Sequence, residues 1–347
     1  MGRLRLIRAD IPRFHHPSGK IVAGLEQLSL YDGMKNLLLL ASSDAELSVR
    51  YHKLSNKKPK ELHFPNTVRS RHFFPSFSCN AFFLAHSSEY AVLWNPTTDK
   101  LKFLPESSLH RPPRTRSTSF SYGFGFDHHH YDYKVIRFVK CMCIDDNTEN
   151  NILVELYSLK SDSWKEVMYP HFPTAPGNHE FLYTAPGNKG VHINGIFYWL
   201  SEDGFILSFD FTTEEFPSTP LIPLPQTYLL NCCNNNVLLA EFNGQLAAIV
   251  HSRLDLSFDS FFFHIWVWNQ ESSSWSRVLS KVPCVSCVSY CKVLGFFNNV
   301  ELYLQSTDGE VVCVDCATGK IKLLGPFVDT WRAYLFPYVE SRQPIQV

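Results

Sequence analysis

The 347-residue sequence lacks the segments that direct proteins to membranes or out of the cell. No apolar run approaches the roughly 20 residues of a membrane span. No apolar segment follows Arg3, Arg5 and Arg8, as a signal peptide would require. There is also no Asn-x-Ser/Thr glycosylation sequon in which x is a residue other than Pro. We therefore expect a cytoplasmic or nuclear protein whose ten cysteines are reduced thiols.

Charge and motif content exclude further classes of function. The formal net charge is −1, which gives no electrostatic case for binding nucleic acid or acidic membranes. The sequence has no G-x-S-x-G nucleophile elbow, no Walker phosphate loop and no H-E-x-x-H metal motif. The pairs Asp145/Asp146 and Glu214/Glu215 lie in polar turns, where no apolar shielding raises the pKa of a carboxyl. These absences predict a protein that is not an enzyme and needs no cofactor.

One pattern is repeated five times along the chain. Each copy has an apolar strand that ends in a large residue, a polar turn, and a second large residue seven positions after the first. The five pairs are Trp94/Leu101, Tyr157/Trp164, Phe209/Phe216, Trp268/Trp275 and Val314/Ile321. A weaker sixth copy has His52 and Pro59 in these places. The recurrence predicts stacked hairpins that share one core.

A second pattern precedes the first at four places. An Asn stands between two apolar runs at Asn80, Asn194, Asn243 and Asn298, and glycine follows it at two of these positions. Asn-Gly between apolar runs is a strong hairpin signal, because a type I′ turn needs positive φ at both central residues. Two patterns in phase predict that a typical repeat contains a hairpin, a loop, another strand and a second tight turn.

The spacing of the repeats predicts the fold. Measured at the residue after the first large one, from Lys53 to Asp315, the steps are 42, 63, 52, 59 and 46 residues. Four-stranded propeller blades repeat every ~40–50 residues, whereas helical repeats would show a 3.6-residue period that is absent here. We therefore predict an all-β, β-propeller-like (kelch-like) domain of six antiparallel four-stranded blades over residues 41–341. Residues 1–40 are predicted to be an irregular segment and residues 342–347 a tail.

A series of motifs also runs in a fixed order along the chain. The motifs occupy residues 94–98 (WNPTT), 122–127 (YGFGFD), 132–137 (DYKVIR), 154–167, 190–200 (GVHINGIFYWL), 206–210 (ILSFD), 264–268 (HIWVW) and 338–341 (YVES). In sequence and in order they resemble the F-box-associated domain of plant F-box proteins, over roughly residues 75–341. Within that family the chain is similar to the S-locus F-box and related floral proteins, which act in self-incompatibility.

The resemblance implies a function. The family's domain is the substrate receptor of an SCF-type ubiquitin ligase, and an N-terminal F-box binds a Skp-family adaptor that bridges to cullin. The leucine-proline start and the Cys-x-x-Trp end of an F-box are not found before Leu28. We therefore expect residues 1–40 to be a remnant that follows a lost F-box, with adaptor and cullin bound only where an F-box is present upstream. The alternatives are a protein-binding propeller outside any ligase, a truncated F-box product, and a carbohydrate-binding or kelch-type enzyme.

Two clusters have residue types that bind metals. Cys284, Cys287 and Cys291, followed by Cys313 and Cys316, have the short spacings of thiolate zinc ligands. Cys313 and Cys316 are an odd number of positions apart, however, and would point to opposite faces of a flat strand, so we interpret the cysteines as small buried hydrophobic residues. The histidines at 128–130 are interpreted as a solvated hairpin tip, and no metal is predicted.

Glycines and tryptophans are assigned structural roles. The segment Gly123-Phe124-Gly125 has neither the third glycine nor the following helix of a phosphate-binding loop. We therefore interpret Gly123 and Gly125 as strand glycines that allow another part of the backbone to approach closely. Asp127 is interpreted as the cap of the next turn. The tryptophans at 94, 164, 199, 266, 268 and 275 have strand spacing and are predicted to be core, with a sugar or peptide cleft as the alternative. Trp266 and Trp268 share one face and Ile265 the other, which predicts a strand covered on both faces.

Partner recognition is expected on the connections between strands, because rigid scaffolds carry binding residues on their loops. The first candidate is residues 106–118, where His110, Arg111, Arg114 and Arg116 stand among prolines. An Arg guanidinium matches the geometry of a carboxylate on a protein partner. A solvated loop without a partner is the alternative, and residues 169–188 and 226–236 are the next candidates.

Overall fold

The structure is a computed structural model. It describes residues 37–42, 48–53, 60–63, 74–86, 90–145, 149–169, 190–200, 205–217, 221–225, 237–253, 261–283, 292–306, 310–326, 333–339, 341–342 and 345. These residues form 24 β-strands, which are arranged in six four-stranded antiparallel sheets. Within the described part of the chain, no helix is long and apolar enough to cross a membrane.

The sheets follow one another along the chain, and we number them I to VI. Sheet I contains β4 (Phe74–Cys79), β5 (Phe82–His86), β6 (Ala91–Asn95) and β7 (Lys100–Phe103). Sheet II contains β8 (Thr115–Asp127), β9 (Asp132–Cys143), β10 (Glu149–Ser158) and β11 (Ser163–Val167). Sheet III contains β12 (Gly190–Ile193), β13 (Ile196–Leu200), β14 (Phe205–Asp210) and β15 (Leu221–Pro223).

The remaining sheets repeat this arrangement until the last one. Sheet IV contains β16 (Val237–Phe242), β17 (Gln245–Arg253), β18 (Phe261–Asn269) and β19 (Ser274–Pro283). Sheet V contains β20 (Lys292–Phe297), β21 (Glu301–Gln305), β22 (Glu310–Asp315) and β23 (Ile321–Pro326). Sheet VI contains β24 (Ala333–Pro337), β1 (Leu37–Ser42), β2 (Ser48–Lys53) and β3 (Lys60–His63), in that spatial order.

The first strand of each sheet contacts the first strand of the next, and the series closes into a ring. β4 contacts β8, and the contacts continue through β12, β16, β20 and β24 back to β4. This confirms the predicted all-β, propeller-like class with antiparallel four-stranded units. Sheet VI joins the two ends of the described chain, since Leu39 of β1 pairs with Leu335 of β24. β1 begins at Leu37, ahead of the boundary predicted at residue 41.

Two opposite ends of the ring follow from the antiparallel strand order. The connections between first and second strands and between third and fourth strands lie at one end, which we name the turn face. The connections between second and third strands and between successive sheets lie at the other end, the loop face. Hydrogen bonds join turns of neighbouring sheets on the turn face: Asn194 Nδ2 donates to Gly244 O at 3.1 Å, and Asn243 N to Asn299 Oδ1 at 2.8 Å.

The repeated large residues are cross-strand partners in the hairpin of the third and fourth strands. Four of the five predicted pairs face each other in register: Trp94/Leu101, Tyr157/Trp164, Trp268/Trp275 and Val314/Ile321. In the fifth, the rings of Phe209 and Phe216 lie 5.0 Å apart. Pro59 of the weak sixth copy lies outside the described residues. The seven-residue spacing therefore corresponds to a hairpin, as predicted.

The polar residue after each first large one caps the turn. Asn95, Ser158, Asp210, Asn269 and Asp315 each accept a hydrogen bond from a backbone N–H two or three positions later. The last residue of each of these turns has positive φ, at Asp99, Asp162, Glu214, Ser273 and Gly319. A side-chain oxygen at the first position stabilises such a turn because it satisfies a backbone donor that the strands cannot reach.

The hairpin prediction for the Asn positions is also confirmed. Asn80, Asn194, Asn243 and Asn298 all have positive φ. Gly195 and Gly244 do as well, so both central residues of these two turns have the left-handed conformation that a type I′ turn requires.

Apolar side chains fill the spaces between neighbouring sheets. One cluster joins Phe83 and Trp94 of sheet I to Phe336 of sheet VI. Further clusters lie between sheets I and II, II and III, III and IV, and IV and V. β18 is covered on both faces as predicted: Ile265 packs between sheets IV and V, and Trp266 between sheets III and IV. The predicted core role of the tryptophans is confirmed at Trp94, Trp164 and Trp199, which are buried.

The residues after β24 hold the closing strand against sheet I on the turn face. Val339 N donates to Asn80 O at 3.1 Å, and Asn95 Nδ2 to Ser341 O at 3.0 Å. The Tyr338 ring is 1% exposed, and its hydroxyl makes a hydrogen bond with Thr97 Oγ1. Further on, within the predicted tail, Ile345 is buried in the cluster between sheets I and II. Tyr338, Val339 and Ser341 of the YVES motif therefore fasten the chain across two neighbouring sheets, and we name these three residues the clasp.

Candidate functional site

A buried carboxylate organises the loop face of sheet II. Glu155 on β10 is fully buried and stands opposite Arg137 on β9. Arg137 Nε donates to Glu155 Oε2 at 2.7 Å, and the Arg137 Nη2 donates to the same oxygen. The other oxygen, Oε1, accepts from Ser107 Oγ at 3.0 Å and from Arg111 Nη1. Both oxygens are thus paired, as a buried charge requires.

These contacts set the protonation state of Glu155. Burial on its own would raise the pKa of this carboxyl, but the hydrogen bonds and positive charges of Arg111 and Arg137 outweigh it and hold the pKa below its usual value. The Arg137 guanidinium also lies over the Trp164 ring, 4.2 Å from its centroid. Glu155 is therefore an ionised group at neutral pH that pairs with two arginines.

The connection from sheet I to sheet II, residues 104–114, is held at several further points. Trp164 Nε1 donates to Pro105 O at 2.7 Å, and Leu104 N donates to Ala91 O at 2.9 Å. Near the other end, Ile144 N donates to Arg114 O at 2.9 Å. Because partners from both sheets hold it, this connection is a fixed platform on the loop face.

The structure places His110, Arg111 and Arg114 on this platform and Arg116 on the adjoining strand β8, in different environments. His110 is exposed. Arg114 has positive φ and donates to Asp145 Oδ1 at 2.5 Å, while Arg116 Nη2 lies 3.6 Å from Met142 Sδ. Arg111 is committed to Glu155. Partner binding by His110, Arg114 and Arg116 stays a prediction, and Arg111 anchors the platform.

Sequence reasoning missed Glu155, the residue that holds the platform. It lies in an otherwise apolar run, Val154-Glu155-Leu156, where a charge has no reason to be buried unless a partner meets it. A glutamate between two apolar strand residues could therefore have predicted a buried ion pair at this position. Most of the other two candidate connections, residues 169–188 and 226–236, lies outside the described residues.

The three histidines lie at a hairpin tip on the turn face, as predicted, and all three are exposed. Asp127 caps that turn, also as predicted: its Oδ1 accepts from His129 N at 2.9 Å and from His130 N at 3.1 Å. Its Oδ2 accepts from Lys134 Nζ at 2.6 Å, and Lys134 also donates to Phe211 O at 2.9 Å in sheet III. Lys134 and Asp127 therefore join two sheets and are fully engaged.

Of the described cysteines of the metal motif, Cys313 is buried and Cys316 is half-buried. Burial raises the pKa of the Cys313 and Cys316 thiols to about 12 in each case, which disfavours the thiolate that a metal needs. Cys284, Cys287 and Cys291 lie outside the described residues. Within the described part of the chain, no group of three or more His, Cys, Asp and Glu residues is placed to hold a metal ion.

The glycines of the 122–127 motif allow close packing between sheets II and III. A Cβ on Gly123 would lie 2.4 Å from Trp199 Cζ2, and a Cβ on Gly125 would lie 2.4 Å from His192 Cδ2. The prediction of close approach is confirmed. Burial lowers the pKa of His192 to about 4, with a smaller contribution from the charge of His128, so the imidazole next to Gly125 is neutral at physiological pH.

A cavity of ≈ 450 Å³ lies in the central channel of the ring. Its lining comes mainly from β4, β12, β16, β20 and β24, the first strands of five sheets. Glu241, Asn243 and Asn299 are among the residues that line its turn-face end. The channel is therefore a concave surface that is separate from the platform.

Comparison with known proteins decides the family. The model of the F-box associated beta propeller domain matches residues 33–328. The chain belongs to this family. The match includes all six sheets except β24, and it covers the motifs from residue 94 to residue 268.

Curated relatives are plant F-box proteins. F-box/WD-40 repeat-containing protein 1 of Arabidopsis thaliana is 29% identical over 216 residues, 60% of this chain and 47% of the relative. F-box protein At5g42460 of the same plant is 26% identical over 236 residues, 63% of this chain and 53% of the relative. The chain spans about half the length of the curated relatives it matches.

Solved structures with a similar chain path include a functionally unknown protein from Desulfotomaculum acetoxidans. It aligns with a TM-score of 0.41 and 8% identity, over 87% of this chain and 99% of that chain.

Proposed function

We propose that this chain is the protein-binding part of a substrate receptor in an SCF-type ubiquitin ligase. It captures a target protein on the loop face and presents it for ubiquitination, in the cytoplasm or the nucleus. The chain itself is non-catalytic in this role. A Skp-family adaptor and a cullin join the assembly only where an F-box is present upstream of the propeller.

Membership in the F-box-associated family is the observation that carries the proposal. The curated relatives that match this chain are named F-box proteins. The geometry supports a binding role, because rigid propellers recognise partners through their connections. The platform at residues 104–114 is such a connection, and it is fixed in place by Glu155 before any partner arrives.

The fixed conformation of residues 104–114 should improve the affinity for a target. A loop that is already fixed loses little conformational entropy on binding, which improves affinity without any new contact. The exposed His110, Arg114 and Arg116 then offer donors to carboxylates on the target. We expect substitutions of these three residues to weaken target capture while leaving the sheets intact.

Affinity purification with mass spectrometry tests the ligase role. The baits are this chain and a form that carries an F-box at its N-terminus. We expect the adaptor and cullin only with the second bait, and the target with both. If neither bait captures adaptor and cullin, the ligase role is wrong, and a target captured by both baits without them supports a protein-binding propeller outside any ligase.

A variant series then tests the surface. Arg114→Ala together with Arg116→Ala should reduce recovery of the target about tenfold, the effect of losing about 1.4 kcal/mol. Lys322→Ala on β23 is the control, because this residue lies on the outer strand of sheet V, away from the platform. Equal losses with the two variants would show that the platform does not bind the target.

A further inference from the structure

The central channel has the features of a peptide site, and these are independent of the ligase role. The five strands that supply most of its lining are each the terminal strand in the order of their sheet: β4, β12, β16, β20 and β24. The outer edge of a terminal strand presents backbone N–H and C=O groups with no neighbour in that sheet. Extended peptides bind to such edges through main-chain hydrogen bonds. The cavity volume of ≈ 450 Å³ is within the range of about 300–1,000 Å³ that ligand pockets occupy.

The turn-face mouth of the channel is rigid. Asn299 Nδ2 donates to Asn243 Oδ1 at 2.7 Å, and Asn243 N donates to Asn299 Oδ1 at 2.8 Å. Asn194 Nδ2 adds a bond to Gly244 O at 3.1 Å. These bonds connect three successive sheets at the rim. A ligand that enters here meets a fixed opening, so little of its binding free energy is lost in ordering the protein.

One carboxylate gives the mouth its charge. Glu241, near the end of β16, is exposed and lines the channel. It makes no hydrogen bond or ion pair with another described residue. His192, the other ionisable residue in the lining, is neutral at physiological pH because burial lowers its pKa to about 4. The described lining therefore carries one negative charge and no positive charge.

Below the mouth the channel wall is mostly apolar. Leu238 and Ala240 of β16 and Leu294 and Phe296 of β20 line the cavity. A ligand that matches both parts has a cationic group at one end and an extended apolar body. We propose that the channel binds an extended peptide segment that carries an ammonium group, with the ammonium at Glu241. Either a chain terminus or a Lys side chain supplies that group.

The test uses fluorescent peptides and the purified 347-residue chain. Three probes share a Val-Ser-Val-Ser-Val framework with the dye at the C-terminus. The first has a free α-amine, the second is N-acetylated with Lys in place of the central Val, and the third is N-acetylated without Lys. Fluorescence anisotropy measures the affinity of each probe for the wild type, for Glu241→Gln and for Glu166→Gln. Glu166 is the control because it is an exposed carboxylate on β11, away from the channel.

We expect one or both ammonium probes to bind and the third to bind at least about tenfold more weakly. Glu241→Gln should weaken the ammonium probes about tenfold and leave the third unchanged, because it keeps the shape of the side chain and removes only the charge. Glu166→Gln should change nothing. Preference for the first probe identifies a chain terminus as the source of the ammonium, and preference for the second identifies a Lys side chain.

Hydrogen exchange provides a second readout that does not depend on the dye. A bound peptide should slow amide exchange in β16 and β20, whose edges it covers, and not in the outer strand β11. The proposal is wrong if neither ammonium probe binds, if the third probe binds as well as the others, or if Glu241→Gln has no effect. None of these outcomes bears on adaptor capture, so the channel proposal and the ligase role can fail separately.

Discussion

Glu155 and Arg137 face each other across β10 and β9, and Arg137 Nε donates to Glu155 Oε2 at 2.7 Å in a fully buried site. The same carboxylate reaches Arg111 on the connection between sheets I and II. One side chain therefore links the interior of sheet II to the surface proposed for recognition. Its removal should affect both stability and loop order.

Glu155→Gln is expected to lower the free energy of unfolding by about 3–5 kcal/mol, the cost of leaving a buried charge without its partner. Amide exchange in residues 104–114 should accelerate, since Ser107 and Arg111 lose their anchor. Denaturant unfolding and hydrogen exchange measure these effects. Glu166→Gln is the matched control, because Glu166 pairs with Glu155 across β10 and β11 yet is exposed. Equal effects of the two variants would contradict the assigned role.

Acid should destabilise the wild type more than Glu155→Gln. The pKa of Glu155 is lowered in the folded state, so its stabilisation is complete above the ordinary value of 4.5. As the pH falls below that value, the unfolded chain takes up the proton first and stability decreases, until the pH passes the folded pKa. Urea unfolding midpoints between pH 7 and pH 3 should fall more steeply for the wild type, and parallel curves would rule this contribution out.

His192 should stay neutral in mild acid. Its pKa is lowered from 6.5 to about 4, mainly by burial, so the folded protein resists a proton that the unfolded chain accepts. Stability therefore decreases as the pH falls from about 6.5 to about 4. His192→Gln should reduce this slope. An NMR titration that finds the His192 ring protonated near pH 6.5 would overturn the prediction.

Asn95→Ala should loosen the clasp. Asn95 Oδ1 accepts from Thr97 N at 2.9 Å, and its Nδ2 donates to Ser341 O at 3.0 Å. Because the side chain is buried, we expect a loss of about 1–3 kcal/mol and faster exchange in residues 338–342. Asn269 occupies the same position in sheet IV and is exposed, with a turn bond to Ser272 N. Asn269→Ala should cost less and leave the clasp unchanged, and a similar change there would show that the turn alone matters.

Gly125→Ala should destabilise the packing of sheet II on sheet III. The added Cβ would lie 2.4 Å from His192 Cδ2 and 2.6 Å from Phe211 Cε2. Overpacking of this kind costs about 1–3 kcal/mol. Gly319→Asn is the control, since a Cβ there meets nothing within 4 Å and Asn tolerates the positive φ. Thermal unfolding compares the two, and an unchanged melting temperature for Gly125→Ala would contradict the close contact.

Much of the fold could be predicted from residues that are close together in the sequence. Trp94 and Leu101, or Asn243 and Gly244, are within one hairpin, so their spacing alone reports the turn between them. The closing sheet could not be predicted in this way. Leu39 and Leu335 pair across almost the whole chain, and no local pattern records which distant strand will be the neighbour.

The candidate site also has features that local sequence predicts and features that depend on distant residues. A candidate recognition segment at residues 106–118 was predicted from its composition, because Arg and Pro cluster in one connection. Arg111 is held by Glu155, which is 44 positions away in the sequence, whereas the neighbouring His110 is exposed. The same holds for the clasp, where the YVES residues were recognised as a motif but their partners, Asn80, Asn95 and Thr97, are given only by the folded chain.

The sequence by itself determined the repeated unit, since each hairpin is specified by alternation and turn residues within about 20 positions. The tertiary structure alone decided how the units meet: the order of sheets around the channel, the closure of sheet VI and the charge of the channel mouth. The physical reason is that local conformation depends on neighbouring residues, whereas burial and ion pairing depend on which surfaces the ring brings into contact. Glu155 and Glu241 show the difference, because the same residue type is a buried anchor in one place and an exposed charge in the other.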